Sequence, residues 1–223
     1  MDIRAKIAAS AQKRGGSGES VILVAVTKTV PPCRIEEALR EGILNFGENR
    51  VQEAVPKMKT LSASGYRPFW HFIGKLQRNK VRQVAGQFEL IHSVDSLLLA
   101  EAISGESEKK GVQQKILMEI NLSGEPSKGG FSPEETLSLV HRIAGLKYVK
   151  LKGFMTMPPP TRDPETSRPF FKSLKLLGKK AEKETGLILD VYSMGTSQDF
   201  PVAVEEGATH VRIGSAIFGE RGG

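Results

Sequence analysis

The chain has 223 residues and a net charge of +7, from 32 lysines and arginines against 25 aspartates and glutamates. This length predicts one domain, residues 1–223, with room for a substantial core. The basic residues are dispersed among acids, as in the helical stretches around Lys109-Lys110 and Lys179-Lys180. Such patterns are typical of solvated helix faces. The composition therefore disfavours a nucleic-acid-binding protein.

Covalent and targeting features are few. Cys33 is the single cysteine, which excludes an intramolecular disulfide and a cysteine zinc cluster. No apolar run approaches the length of a membrane span, and the first residues lack the apolar core of a signal peptide. We expect a cytoplasmic monomer without a membrane partner.

The chain begins with a predicted helix and a buried strand. Apolar residues recur at helical spacing within residues 1–13. Residues 21–28 then form an apolar run that ends in Lys28, which predicts a strand buried on both faces. Period-2 alternation puts Lys28 on the face of Val24 and Val26. An ammonium group there must be solvated, paired or used chemically; a surface lysine at a strand end is the alternative.

The same strand–helix alternation continues to the end of the chain. Further strands are predicted at residues 43–46, 69–73, 88–94, 116–122, 149–155, 187–193 and 209–213. Helices are predicted at residues 34–41, 50–61, 76–85 and 95–103, from residue 132 onward, at 165–184, up to residue 207 and at 215–218.

Strictly alternating strands and helices imply a parallel sheet. Eight such units in 223 residues lie near the lower size limit of a closed (β/α)8 barrel, the TIM barrel. An open doubly wound sheet is the alternative. We favour the barrel because no Gly-x-Gly-x-x-Gly turn follows the first strand. The predicted fold class is therefore α/β, a single-domain (β/α)8 barrel.

Polar residues near the ends of the predicted strands indicate where a ligand would bind. Barrels of this class carry their sites at the C-terminal ends of the strands, and a purely structural barrel needs no polar ring there. A histidine between aromatic residues, as His71 is, is more typical of a hydrogen-bonded core than of a base, and His92 is a similarly weak candidate. The ring consists of Lys28, Asn49, His71, Ser93, Asn121, Thr156, Ser193 and Arg212.

The last two strand ends predict an anion site. Residues 193–199 and 212–215 each supply glycine and hydroxyl groups at a helix start, where free N–H groups favour an anion. Barrels of this class usually bind phosphate after strands seven and eight. Helix capping by Ser197 and Ser215 is the alternative. Arg212 is placed inward near these loops, with a buried pair to Glu119 as its alternative role.

A phosphate cradle that faces a strand-end lysine suggests a phosphorylated aldehyde held as a Schiff base. Pyridoxal 5′-phosphate is the commonest such ligand, and its aldehyde needs a partly deprotonated lysine.

Six blocks of the sequence resemble the pyridoxal phosphate homeostasis protein family, and they span nearly the whole chain in order. That family is similar in fold to the barrel domain of bacterial alanine racemases, fold type III. The blocks are residues 24–29 (VAVTKT), 46–53 (FGENRVQE), 70–80 (WHFIGKLQRNK), 153–157 (GFMTM), 193–199 (SMGTSQD) and 212–219 (RIGSAIFG).

The resemblance implies a role for the main residues of the site. Lys28 would form the Schiff base with pyridoxal 5′-phosphate, and Arg212 would face the pyridine nitrogen, where its charge disfavours ring protonation. Ser193, Gly214 and Ser215 would hold the phosphate. Two mild departures from the family are Thr27, often serine, and Thr196, often methionine. The remaining predicted cofactor-binding residues are Asn49, Gly195 and Thr196.

The resemblance also implies a function. Racemases of this fold take a second acid/base from an added β-domain, and here the sequence stops at Gly223, just after the predicted barrel. We therefore expect a protein that binds, buffers or delivers the cofactor, with apo pyridoxal phosphate enzymes as partners and without catalytic turnover. A pyridoxal phosphate-dependent amino-acid racemase or lyase is the alternative.

Overall fold

Eight parallel strands close into a barrel in the computed structural model, which describes residues 3–125 and 128–219. Each strand pairs with the next along the chain, and the last pairs with the first, Ile22 opposite His210. The predicted (β/α)8 barrel is confirmed, and the open sheet is excluded. Strands β1–β8 span Ile22–Val26, Asn45–Glu48, Phe69–Phe72, Leu90–Val94, Gln114–Glu119, Val149–Met155, Val191–Thr196 and His210–Ile213.

Helices follow the strands and cover the outside of the barrel. The predicted helix start at residue 132 is confirmed, because Ser132 and Glu135 form a reciprocal capping box there. Pro56 lies inside the helix Val51–Ala63. Residues 1–2 of the predicted first helix and residues 126–127, in the loop before the helix that begins at Pro133, lie outside the described residues. Helices α1–α9 of the described chain span Ile3–Lys13, Pro32–Arg40, Val51–Ala63, Val81–Val84, Leu97–Lys109, Pro133–Ala144, Arg168–Thr185, Phe200–Glu205 and Ser215–Phe218.

Several element boundaries differ from the prediction, and the difference in β7 matters most for the candidate site. This strand begins at Val191, although the apolar run begins at residue 187. Leu189 is already buried in the core before the strand starts, while Ile188 is exposed. The strand begins where Val191 pairs with Gly153 of β6, so tertiary pairing sets the boundary. The predicted helix at residues 76–85 is likewise reduced to one turn of 3-10 helix and the short α4.

The barrel interior is apolar in part and polar in part. Leu90, Leu117 and Met155 form a small buried cluster separate from the main core, which packs between the sheet and the helices. Nearer the strand ends, buried histidine, serine and arginine side chains meet inside the barrel. Among the described residues, no helix has the length and apolar character needed to cross a bilayer.

Candidate functional site

A cavity of about 770 Å³ opens at the C-terminal ends of the strands. Two of the predicted cofactor-binding residues, Ser193 and Gly195, do not line it. The predicted residues that do are Lys28, Asn49, Thr196, Arg212, Gly214 and Ser215. Lining residues that we did not predict include Lys75, Asp95, Glu119 and Ser197.

Lys28 reaches the cavity from the end of β1. The strand ends at Val26, and both Val26 and Lys28 line the cavity, as the alternation predicted. Thr29 follows with φ of +63°, the one positive φ of a non-glycine residue in the described chain. This left-handed turn is held by Glu53, whose Oε2 accepts a hydrogen bond from the Thr29 N–H at 3.1 Å. The backbone on both sides of Lys28 is therefore fixed.

A buried ion pair connects α3 to the end of β1, next to Lys28. Lys57 Nζ donates to Glu48 Oε1 at 2.7 Å and to the carbonyl of Thr27 at 2.6 Å. The Thr27 hydroxyl donates to the same carboxylate oxygen at 2.6 Å. Burial raises the pKa of Glu48, while the hydrogen bonds from Lys57 and Thr27 oppose the rise. We did not predict this cluster; its signal was the placement of Glu48 and Thr27 within the resembling blocks.

Arg212 is a buried cation without a carboxylate partner among the described residues. Its Nη1 donates to Ser193 Oγ at 2.5 Å and its Nη2 to the carbonyl of Thr156 at 3.1 Å. Burial lowers its pKa to about 10, against the attraction of Glu119 and Asp199, so it remains charged at neutral pH. The alternative of an ion pair with Glu119 is not what the structure has. A buried charge without a counterion is costly unless a ligand compensates it.

Ser193 lies beneath the cavity instead of at its mouth. Because β7 continues to Thr196, Ser193 falls in the middle of the strand. The side chain has no exposed surface, and its hydroxyl contacts Arg212 and His92 Nδ1, the latter at 2.8 Å. The expectation of a direct phosphate contact from Ser193 is therefore corrected: its hydroxyl holds Arg212.

Gly195 has a packing role in this structure. Its φ is +90°, and a Cβ there would lie 2.6 Å from Ala203 Cβ of α8. A side chain would push the helix off the strand, so the glycine is needed for close approach.

Thr196 was expected to bind the cofactor, but Ser197 is the residue whose hydroxyl is available to a ligand. The amide and hydroxyl of Thr196 both donate to Asp199 Oδ1, at 2.7 and 3.0 Å, so its donors are used within the loop. Ser197 Oγ accepts from the Gly214 N–H at 3.2 Å, which joins the two loops and leaves the serine hydrogen as a donor. Ser215 is exposed at the start of α9 on the same cavity. Ser197 and Ser215 therefore present one hydroxyl from each of the two loops to the cavity.

Asn49 offers an acceptor to the cavity that no described residue satisfies. Its Oδ1 is buried without a hydrogen-bond partner in the described chain. Gly74 lies against it, because a Cβ at that position would be 2.2 Å from the Asn49 carbonyl oxygen. The glycine therefore allows the two strand ends to approach each other.

Acidic groups face the cations across the cavity. Glu119 ends β5, and burial, then the nearby Asp95, raise the pKa of its carboxyl. Glu119 takes the strand-end place that we predicted for Asn121, whose side-chain amide instead donates to the Glu125 carbonyl at 3.0 Å within the next loop. No group of metal-ligating side chains occurs in residues 3–125 and 128–219.

Three other members of the predicted ring occupy different places. Ser93 lines the cavity. Thr156 and His71 are buried and do not line it, and the Thr156 hydroxyl donates to the Ile120 carbonyl at 2.9 Å. The interpretation of His71 as a hydrogen-bonded core residue is confirmed by its contacts with His92 and Asn45.

Comparison with known proteins places this geometry in context. A family model described as alanine racemase, N-terminal domain, matches residues 3–222. A pyridoxal phosphate homeostasis protein of Aquifex aeolicus is 44% identical over 210 residues, which cover 94% of this chain and 91% of the relative. The Pseudomonas aeruginosa protein of the same name is 38% identical over 98% of this chain and 93% of its own.

A solved structure is also similar. PipY of Synechococcus elongatus PCC7942, determined with PLP bound, superimposes with a TM-score of 0.85 at 33% identity. The match covers 98% of this chain and 100% of PipY.

Proposed function

The chain belongs to the pyridoxal phosphate homeostasis protein family, and from this premise we propose that its cavity binds pyridoxal 5′-phosphate through Lys28. The observation that carries the proposal is the joint placement of Lys28, Arg212 and the Ser197–Ser215 hydroxyls in one cavity of about 770 Å³. PipY, a relative of the same fold, was solved with PLP bound. When bound, the cofactor supplies an aldehyde carbon to which a primary amine adds with loss of water.

The described residues fit this group. Lys28 Nζ would form the bond to the aldehyde carbon, and the carbonyl oxygen would leave as water. Arg212 would face the ring nitrogen, and its buried charge, which has no ion-pair partner in the described chain, favours an electron-rich ligand atom. Ser197 and Ser215, with the backbone around Gly214, would hold the phosphate. Asn49 would accept a hydrogen bond through its unsatisfied Oδ1.

The biological role that we propose is cofactor homeostasis: binding, buffering and delivery of the cofactor to apo-enzymes by a cytoplasmic monomer, one domain over residues 1–223. Delivery needs only that an incoming amine displace Lys28 Nζ, and the cavity mouth is open to solvent on the side of Ser215. Light scattering of the purified chain, and transfer of the cofactor to an apo-enzyme of this class, test the two parts separately.

A racemase or lyase remains the second candidate because of one observation. Glu119, with its raised pKa, lies on β5, across the eight-stranded barrel from the β1 end that carries Lys28. A protonatable acid opposite the lysine could serve as a second acid/base. Incubation with L-alanine in heavy water distinguishes the candidates. We expect no Cα deuteration at enzyme-like rates of order 1 s⁻¹; deuteration at such rates that is lost in Glu119→Gln would establish the racemase.

The attachment point is tested by chemical trapping. Borohydride treatment of the chain with bound cofactor, followed by peptide mapping, should place the label on Lys28. Lys28→Ala should abolish labelling, whereas Lys147→Ala, outside the cavity, should not change it. Label on another lysine, with Lys28→Ala still labelled in full, would refute the proposal.

A further inference from the structure

A row of buried polar side chains crosses the barrel interior beneath Arg212. From Arg212 Nη1 the bonded pairs are Ser193 Oγ at 2.5 Å, His92 Nδ1 at 2.8 Å from that oxygen, His71 Nδ1 at 2.9 Å from His92 Nε2, and Asn45 Oδ1 at 3.0 Å from His71 Nε2. Asn45 begins β2 and lines a second cavity, of about 440 Å³, near the N-terminal ends of β1 and β2. The row therefore links the two ends of the barrel.

Arg212 fixes the direction of these bonds. A guanidinium has only donors, so Ser193 Oγ accepts from it. The hydroxyl hydrogen of Ser193 then needs an acceptor, and His92 Nδ1 is the one atom of the described chain placed to take it. If His92 donated from Nδ1 instead, that hydrogen would remain unsatisfied on a side chain with no exposed surface, which is costly.

The direction set at Ser193 passes through both histidines. A neutral His92 that accepts at Nδ1 carries its proton on Nε2 and donates it to His71 Nδ1. His71 then carries its proton on Nε2 and donates to Asn45 Oδ1. Burial keeps both rings neutral, because it lowers the pKa of His71 to about 3 and that of His92 well below the ordinary value. Every ring nitrogen thus has a bonding partner.

We propose that four side chains act as positioning residues for Arg212, namely Ser193, His92, His71 and Asn45. In this row each group donates a hydrogen bond to the next, from Arg212 to Asn45. The row thereby holds the guanidinium so that it can donate to the ring nitrogen of the cofactor. The proposal rests on the proposed function, in which Arg212 faces that nitrogen.

The chemical groups in this row of hydrogen bonds explain its effect on the ligand. The row from Ser193 to Asn45 contains no carboxylate, so it orients Arg212 without neutralising its charge. Glu119 and Asp199 act on Arg212 only by charge, without a hydrogen bond or ion pair to it in the described chain. A protonated ring nitrogen would meet a like charge, so the site selects the unprotonated ring.

His210 supplies a matched control inside the same barrel. Its ring centroid lies 5.9 Å from those of both His71 and His92, and it is also buried. Its Nδ1 is hydrogen-bonded to Thr209 Oγ1 at 3.0 Å, and His210 is not a member of the row from Arg212 to Asn45. A substitution at His210 therefore disturbs the packing of the interior without cutting the row.

The first test uses the full chain without added cofactor. Nitrogen-15 NMR of labelled histidine at pH 7.5 should show His71 and His92 as neutral rings protonated on Nε2. Ser193→Ala should shift the His92 Nδ1 signal, because it removes that nitrogen's donor, and should leave His210 unchanged. A His92 protonated on Nδ1, or a charged His71 or His92, would overturn the proposal. This test does not depend on cofactor binding.

The second test uses the loaded chain. His92→Phe and Ser193→Ala should each speed dissociation of pyridoxal 5′-phosphate by about two- to tenfold, the range for loss of one hydrogen bond. His210→Phe should change the rate less than twofold. Equal effects from His92→Phe and His210→Phe would mean that the histidines only fill space. Should His92→Phe not fold, Ser193→Ala decides. If the wild type fails to label at Lys28, the proposed function fails while the NMR result still stands.

Discussion

Ser197 and Ser215 carry the clearest expectation for single residues. Charge-assisted hydrogen bonds contribute roughly 1.5–3 kcal/mol each, so Ser197→Ala and Ser215→Ala should each weaken binding of pyridoxal 5′-phosphate about tenfold or more. Affinity for pyridoxal without phosphate should change much less. Fluorescence titration with both ligands measures the difference.

Ser138→Ala is the matched control for these two substitutions. Ser138 is exposed on α6, with its hydroxyl bonded to the Glu135 carbonyl, and its replacement should leave both affinities unchanged. Equal losses for the two ligands in Ser197→Ala and Ser215→Ala would show that the loops are structural.

At the scale of elements, the contact between the end of β1 and α3 depends on the buried pair of Glu48 and Lys57. Lys57→Met should lower the free energy of unfolding by about 3–5 kcal/mol, because it leaves Glu48 buried without its cation. The double variant Glu48→Leu/Lys57→Met should recover most of that loss, since no charge is then buried alone. Urea unfolding measures both.

The matched control is an exposed ion pair, Lys109 with Glu106 on α5. Lys109→Met should change the free energy of unfolding far less than Lys57→Met does, because solvent screens an exposed ion pair. An equally small change for Lys57→Met would show that the buried pair does not hold the end of β1 against α3.

For the whole molecule, the three histidines inside the barrel predict acid sensitivity. Burial lowers the pKa of His71 to about 3, that of His210 to about 4, and that of His92 well below its ordinary value. The unfolded chain therefore binds more protons below pH 6.5, and stability present above that pH is lost as the pH falls. Glu48 and Glu119, with raised pKa, act in the opposite sense.

His210→Asn removes one of the three buried histidines that take up a proton when the protein unfolds. The slope of unfolding free energy against pH, between pH 6.5 and 5, should fall by up to about 1.4 kcal/mol per pH unit in this variant. Chemical unfolding at several pH values measures the slope. An unchanged slope would contradict the assignment of His210 as a buried neutral histidine that charges on unfolding.

The sequence by itself determined the barrel and the position of Lys28. Strand–helix alternation is a local pattern of apolar residues, and period-2 alternation is a property of any extended chain, so both can be recognised without knowing the partners. The capping box at Ser132 is equally local. The family resemblance followed from the residues of six sequence blocks.

Only the tertiary structure decided which side chains near Lys28 line the cavity and which form hydrogen bonds inside the protein. Where β7 starts depends on its pairing with β6, and that pairing moved Ser193 from the cavity mouth into the barrel interior. The ion pair of Lys57 with Glu48 joins a helix to a strand, and the row from Arg212 to Asn45 joins residues of separate strands. Such contacts depend on helix packing and on the register of separate strands, which no single segment of the sequence encodes.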